Sequence, residues 1–476
     1  MTILWKYVII YTYLLLVMGV SFVVSKRTQN NEVSRNIVHI CAGLGWILYR
    51  LLFPATIHPI IISCSFVILA IITTKMKIRF IERENGSLGT IYFTSSMLVM
   101  ALLGYNSLLR FDMFGIAITC LSCGDAAANI IGSRFGTKIL YKKKSVEGTI
   151  ACFFMSALIM IILVYSFNIK LDVISICLLA TLCAITELFS GDYDNIAITT
   201  ILYTTSYFIF THDNNIHLGL SLLIGIFMFG FAVKLKLLNL AASYMLFFFM
   251  FVLFYCGGIK CFISLMLIFS VIIIIEKMLR KKTDNIFQSM NKEYGVRNEY
   301  QLMANCLIAV IAIVIYGITK SKIFIVAFFT AIAETVGDSI ASDVGVLSKS
   351  NPLDICTFKR VPKGVSGGIS VLGTLSSICI CLYAGLLYIC IYEMNLYHFV
   401  VIVISALLGI IFDSILGSKI QAKYQCNICG KITEKERHCE QATILIKGLK
   451  KLDNTRVNWT CNMISCVVAC LLMIMR

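Results

Sequence analysis

Apolar runs of near bilayer-spanning length recur along the whole chain, separated by short polar loops. A helix needs about 20 apolar residues to cross the hydrocarbon core, where its backbone must satisfy its own hydrogen bonds. Runs that reach or approach this length lie at 4–24, 37–53, 57–74, 91–109, 113–133, 149–168, 172–189 and 196–211. They continue at 217–233, 237–256, 261–276, 301–319, 322–345, 366–392, 398–417 and 457–475. The pattern predicts an all-α, polytopic transmembrane helical bundle of about 14–16 spans, the shortest runs being half-spans or tilted pieces. The first run lacks a basic flank and a small-residue cleavage site, so it reads as a retained span.

Composition agrees. Hydrophobic residues make up 59% of the chain, charged residues 14%, and mean hydropathy is +0.88, which excludes an ordinary soluble protein. When loops are assigned to alternate sides, one side collects 25–36, 75–90, 134–148, 234–236, 277–300, 346–365 and 418–456. These loops hold roughly four in five of the 41 Lys and Arg residues, a bias that marks the cytoplasmic face. The net charge of +16 is then largely topological, with some attraction to anionic lipid headgroups. No soluble basic domain is present to bind nucleic acid. The 20 cysteines are scattered through the apolar runs, where cysteine acts as a small hydrophobe rather than as part of a secreted disulfide framework.

One nine-residue phrase occurs twice. Residues 124–132 read GDAAANIIG and residues 337–345 read GDSIASDVG. Each ends an apolar run and leads into a basic, glycine-containing loop, KKKSVEGT at 142–149 and KRVPKGVSGG at 359–368. A second echo pairs DNIAITT at 194–200 with DNTRVNW at 453–459. The chain therefore reads as two tandem related modules, 1–225 and 226–476, with the boundary expected between residues 212 and 236.

A carboxylate in the hydrocarbon costs about 2.5–3.5 kcal/mol at a helix centre, so Asp125 and Asp338 need a partner or a task. Glu334 stands one turn before Asp338, and Asp343 follows it. The loops supply Lys144, Ser145 and Gly148 in the first module, and Lys359, Lys363, Gly364, Gly367 and Gly368 in the second. Cations and exposed amides suit phosphate oxygens, and a carboxylate beside them suits Mg²⁺. The plainer alternative is a small-residue helix interface followed by a positive-inside loop. Asp194 with Asn195, and Asp453 with Asn454, are either N-caps or further contacts for Mg²⁺ or nucleotide, and Glu187 lies about two turns before Asp194. Arg35 and His39 share a face at the start of the second run, while Arg297 and Asn305 flank the start of the twelfth; each is a packing group or a phosphate partner. Within 418–456, Cys426, Cys429, His438 and Cys439 form either a chance grouping or a four-ligand structural Zn²⁺ site with no open position for catalysis.

These motifs carry a family resemblance. The first module resembles the dolichol kinase and phytol kinase family of integral-membrane enzymes through RNIVHI at 35–40, GSLGTIYF at 86–93, GDAAANIIGSRFGTK at 124–138, KKSVEGTIA at 143–151 and TELFSGDYDN at 186–195. The second resembles the membrane family that includes plant phytyl-phosphate kinase. There the carriers are YGVRNEYQLMAN at 294–305, ETVGDSIASDVGVLSKSNP at 334–352, FKRVPKGVSGGISVLGTLSS at 358–377, DSILGSKIQAKYQC at 413–426 and LDNTRVN at 452–458. The resemblance implies CTP as nucleoside triphosphate donor, phosphorylating an isoprenoid alcohol and then the prenyl phosphate lipid to the diphosphate. It assigns the alcohol-kinase motifs to Asp125, Lys144, Ser145, Glu147, Gly148, Glu187 and Asp194, and the second set to Asp338, Ser342, Asp343, Lys359, Gly364, Gly367 and Gly368. Rival readings are a CTP-dependent cytidylyltransferase acting on a membrane phosphate lipid, and a repeat-built transporter.

Overall fold

The computed structural model describes residues 2–28, 31–76, 88–211, 215–289, 298–392, 396–430, 432–434 and 436–475. They form 15 helices: α1 (Ile3–Thr28), α2 (Asn31–Leu52), α3 (His58–Met76), α4 (Gly89–Gly104), α5 (Leu108–Phe135), α6 (Val146–Phe167), α7 (Val173–Ser190), α8 (Asp194–Thr211), α9 (Asn215–Lys234), α10 (Leu240–Ser289), α11 (Glu299–Thr319), α12 (Lys322–Gly345), α13 (Val371–Tyr392), α14 (Leu396–Lys419) and α15 (Asn454–Ile474). Each of the sixteen predicted runs overlaps a helix, though 91–109 overruns α4 at Gly104, crosses the turn at 105–107 and enters α5. There are fifteen helices because 237–256 and 261–276 join in α10, which is kinked at Gly258 (φ 69°, ψ −170°) and continues to Ser289 beyond the expected span. Twelve helices are long and apolar enough to cross a membrane by length and composition, and α4 is an apolar helix of 16 residues.

The loops contain structure that hydropathy did not predict. Two-stranded antiparallel pairs form from β1 (Ile139–Tyr141) with β2 (Lys144–Ser145), and from β3 (Leu353–Asp354) with β4 (Gly368–Ile369). Because β4 occupies 368–369, the run predicted from 366 becomes helical only at Val371. In the last loop, β5 (Lys423–Gln425) sits between β6 (Ile432–Thr433) and β9 (Ile444–Lys447), while β7 (Arg437–His438) pairs with β8 (Gln441–Ala442).

The chain divides into two compact units, Met1–Leu218 and Gly219–Arg476. In the N-terminal unit α5 is the central helix. Its most apolar window is 83% buried, against 17% for α1, and every residue from Phe111 to Ala128 is enclosed. Helices α2, α4, α6, α7 and α8 pack around it. The outer helix α1 instead exposes Leu4, Trp5, Leu15 and Leu16, an apolar surface suited to lipid. At the end of α5 away from Asp125, Arg50 Nε lies 2.6 Å from Asp112 Oδ1, and the Arg50 guanidinium sits over the Phe167 ring.

The C-terminal unit repeats this plan. Its central helix α12 is enclosed by α10, α11, α13, α14 and α15. The crossing after each nine-residue phrase is built alike. Ser145 Oγ accepts from Gly148 N at 3.2 Å at the start of α6, and Ser370 Oγ accepts from Gly373 N at 3.1 Å at the start of α13. A methyl group on Gly148 would meet the Ala128 carbonyl oxygen at 2.8 Å, and one on Gly373 would meet that of Ala341 at 2.7 Å. Only glycine lets these backbones approach so closely. Ala128 and Ala341 hold the same place in the repeated phrase, so the echo in sequence is an echo in packing.

Candidate active site

The N-terminal unit holds a cavity of about 170 Å³ between α1, α2, α3, α4, α5 and α8. Its lining joins apolar side chains, Leu14, Met18, Phe66, Leu69, Phe93 and Met97, with polar ones, Glu32, Arg35, His39, Asp125, Asn129 and Asp194. Asp125 comes from the last enclosed turns of α5 and is 8% exposed. Its Oδ2 lies 3.9 Å from His39 Nε2, and its Oδ1 is buried without a hydrogen-bond partner. The His39 ring packs on Phe93 with centroids 4.6 Å apart. Asp194 begins α8 and is buried. Its Oδ1 accepts from Asn195 N at 2.7 Å, and Asn195 Nδ2 donates to the Gly89 carbonyl at 3.2 Å.

The β1–β2 hairpin brings Lys144 to this end of the unit. Lys144 Nζ donates to Glu187 Oε1 near the end of α7. Burial opposes the Lys144 charge, but the carboxylates of Glu187, Asp125 and Asp194 outweigh it and hold its pKa above the usual lysine value. Thus Asp125, Glu187, Asp194, Lys144, Arg35 and His39, spread over some 160 residues of sequence, converge as α2, α5, α7 and α8 pack. At the start of α6 the Ser145 hydroxyl caps the helix and Gly148 fits the α5–α6 crossing.

In the C-terminal unit three carboxylates gather around α12 and α14. Asp413 on α14 interacts electrostatically with Asp338 and Glu334 on α12, and with Glu434. Asp413 Oδ2 is buried and has no hydrogen-bond partner. Asn462 Nδ2 from α15 donates to Glu334 Oε2 at 2.6 Å and to the Ala331 carbonyl at 2.8 Å. Thr335 Oγ1 donates to the Asn305 carbonyl at 3.2 Å, which ties α11 to the group. Asp343 lies five residues beyond Asp338, about 140° round the helix, so it does not share the Glu334–Asp338 face. Arg297 lies outside the described residues. Asp413 is the residue that motif reading passed over. It sits alone in an apolar run, and only its place at the head of DSILGSK marked it.

The glycine loop of this unit is held by its neighbours. Gly364 and Gly367 take φ of +83° and +84°, and a Cβ on Gly367 would meet Ser418 N at 2.5 Å, so both positions require glycine. Lys363 Nζ donates to the Val346 and Ser348 carbonyls at 2.9 and 2.7 Å, closing the end of α12. Lys359 is exposed, and Gly368 pairs with Asp354 between β4 and β3. Ser418 Oγ donates to both oxygens of Asp354, at 2.9 and 2.8 Å. Burial works against the Asp354 charge, yet the Ser418 hydroxyl and the Thr357 and Cys356 amides prevail and bring its pKa down to about 2. Asp453 is an exposed N-cap that accepts from Arg456 N at 2.9 Å, unlike its buried echo Asp194. Cys426, Cys429, His438 and Cys439 converge, with their donor atoms all within 4.8 Å of one another.

The family match bears on the C-terminal unit. The chain is 32% identical over 193 residues to Protein PGR of Arabidopsis thaliana, a match covering 35% of this chain and 66% of that protein. It is 29% identical over 135 residues to an uncharacterized membrane protein of Methanocaldococcus jannaschii, covering 27% and 52%. It is also 24% identical over 149 residues to Protein VTE6, chloroplastic, of Arabidopsis thaliana, covering 31% and 45%. The chain thus spans under two thirds of each of these relatives. No solved structure matches. Residues 223–466 match the family described as integral membrane protein DUF92, and with its bundle of apolar helices the chain belongs to that multi-pass membrane family.

Proposed function

We propose that this chain is a CTP-dependent isoprenoid lipid kinase. The N-terminal unit phosphorylates a prenyl alcohol of the phytol, geranylgeraniol or polyprenol type, and the C-terminal unit phosphorylates the monophosphate to the diphosphate. The observation that carries the reading is a cavity whose lining joins apolar side chains suited to an isoprenoid tail with Asp125, Asp194, Arg35 and His39, which suit a polar headgroup. Family resemblance supports CTP as donor and supplies the order of the two steps.

In the first step the alcohol oxygen attacks the γ-phosphorus of CTP. The bond from that phosphorus to the β–γ bridging oxygen breaks, CDP leaves with the electron pair, and the alcohol proton passes to Asp125. Lys144, steadied by Glu187, offsets charge on the phosphates, and Arg35 and His39 line the path of the headgroup. The all-oxygen donors Asp194, Asn195 and Asn129 fit Mg²⁺, as do Asp338 and Asp413, whose Oδ2 is unpartnered. Bound there, Mg²⁺ supplies neutralisation of phosphate charge. In the C-terminal unit the loop from Lys359 to Gly368 offers its exposed cations to the nucleotide. The motif loops face the cytoplasm, where CTP is dissolved.

The test uses purified protein in detergent, a prenyl alcohol, and CTP labelled either at the γ-phosphate or in the cytosine ring. The expected result is γ-label in lipid and none from the ring. Ring label in lipid would replace this reading with a cytidylyltransferase. Absence of both labels from folded protein, across prenyl alcohols and monophosphates, would overturn it, and prenyl lipid movement across proteoliposomes would then favour a transporter.

A further inference from the structure

In the loop between α14 and α15 burial is confined to its start, at Gln421–Tyr424 and Cys426. From Asn427 to Leu452 no described residue is buried, and its strands are two to four residues long. So small a module needs a staple other than apolar burial. Within it a set of thiols and an imidazole converges. The turn after β5 carries Cys426 and Cys429, closed by Gly430 N donating to the Cys426 carbonyl at 2.9 Å. The β7–β8 hairpin turn carries His438 and Cys439, with Cys439 and Glu440 at φ of +50° and +62°. His438 Nδ1 lies 3.5 Å from Cys429 Sγ and 3.2 Å from Cys439 Sγ. The first falls within the edges of a tetrahedron with metal–ligand bonds of about 2.0–2.3 Å, roughly 3.3–3.8 Å, the second is slightly shorter, and all four donor atoms lie within 4.8 Å of one another. Three soft sulfurs and one imidazole suit a tetrahedral Zn²⁺ site.

We propose that Cys426, Cys429, His438 and Cys439 bind one Zn²⁺, and that this staple holds the module against the glycine loop of the C-terminal unit. The contacts converge on Ser366. Lys423 Nζ donates to its carbonyl at 2.8 Å, Gln421 Nε2 donates to its hydroxyl at 3.1 Å, and that hydroxyl donates to Glu434 Oε1. Lys423 and Glu434 flank the metal-binding turn on β5 and just after β6, so the metal sets the register of the residues that grip Ser366. Zinc is structural here: its four protein ligands leave no position for substrate, and its effect on chemistry passes through the loop.

Metal content of full-length protein in detergent tests the site. About one zinc per chain is expected, falling at least tenfold in Cys429→Ser and Cys439→Ser and retained in His438→Cys, which rebuilds a four-thiolate site. Protein produced in cobalt medium should show thiolate-to-cobalt charge-transfer absorption, a readout on wild-type protein that does not depend on how the variants fold. No bound metal in folded protein, with all four side chains open to alkylation or Cys429 and Cys439 joined as a disulfide, would overturn the site. Hydrogen exchange tests the coupling. Chelation should speed exchange at residues 363–368 at least tenfold and leave α12 unchanged; unchanged exchange in that loop would overturn the positioning role.

Discussion

Asp194 and Asp453 open helices with the same Asp-Asn pair, yet one is buried against the cavity and the other is an exposed cap. The pair alone does not set its role; the partners that packing brings do. Asp125→Asn keeps side-chain size but removes the acceptor charge, and is expected to slow phosphate transfer to alcohol by about 10²–10⁴-fold. Asp453→Ala is expected to cost about 1 kcal/mol of stability through the lost cap, with transfer unchanged. Transfer rates and thermal melts on the two variants separate these outcomes; equal rate losses would contradict the assignment. Asp354 gives a pH signature. Its folded pKa of about 2 lies below its ordinary 3.8. Because the pKa is depressed, the tie from Asp354 to Ser418 stabilises fully above about pH 4 and is lost as pH falls toward 2. Pepsin cleavage within 353–368 should therefore rise between pH 4 and pH 2 in wild type and be high at both in Asp354→Asn.

Among the elements, the spans were legible in sequence because a lipid-crossing helix must be long and apolar whatever packs around it. The same logic hid the strands. Two-residue pairs such as β3–β4 have no periodicity to read, and the last loop takes its shape from Cys/His convergence rather than from an apolar pattern. Asp413 was hidden for a related reason: a carboxylate 75 residues beyond Asp338 joins it only once α14 packs on α12. The repeated phrase did disclose the two central helices, since Gly148 and Gly373 fit matching crossings. Gly148→Ala and Gly373→Ala should each cost about 1–3 kcal/mol through overpacking, read as a lower melting temperature. Arg50→Ala should cost roughly 3 kcal/mol by leaving Asp112 largely buried and unpaired. Because Asp112 lies thirteen residues, about 20 Å, along α5 from Asp125, transfer by the Arg50 variant that remains folded should be unchanged.

The whole molecule is two copies of one plan with different electrostatics. The N-terminal unit bridges Lys144 to Glu187 beside Asp125, and the C-terminal unit gathers Glu334, Asp338 and Asp413; each leaves one buried carboxylate oxygen without a hydrogen-bond partner, Asp125 Oδ1 and Asp413 Oδ2. A neutral alcohol headgroup suits the first. A monophosphate arriving with its own cation suits the second. The most direct measurement of this division of labour is the initial rate of γ-phosphate transfer from CTP to a prenyl alcohol and, separately, to its monophosphate, in wild type, Asp125→Asn and Asp338→Asn. The account predicts that Asp125→Asn loses transfer to the alcohol alone and Asp338→Asn loses transfer to the monophosphate alone. Loss of both activities in either folded variant, or of neither in both, would contradict it.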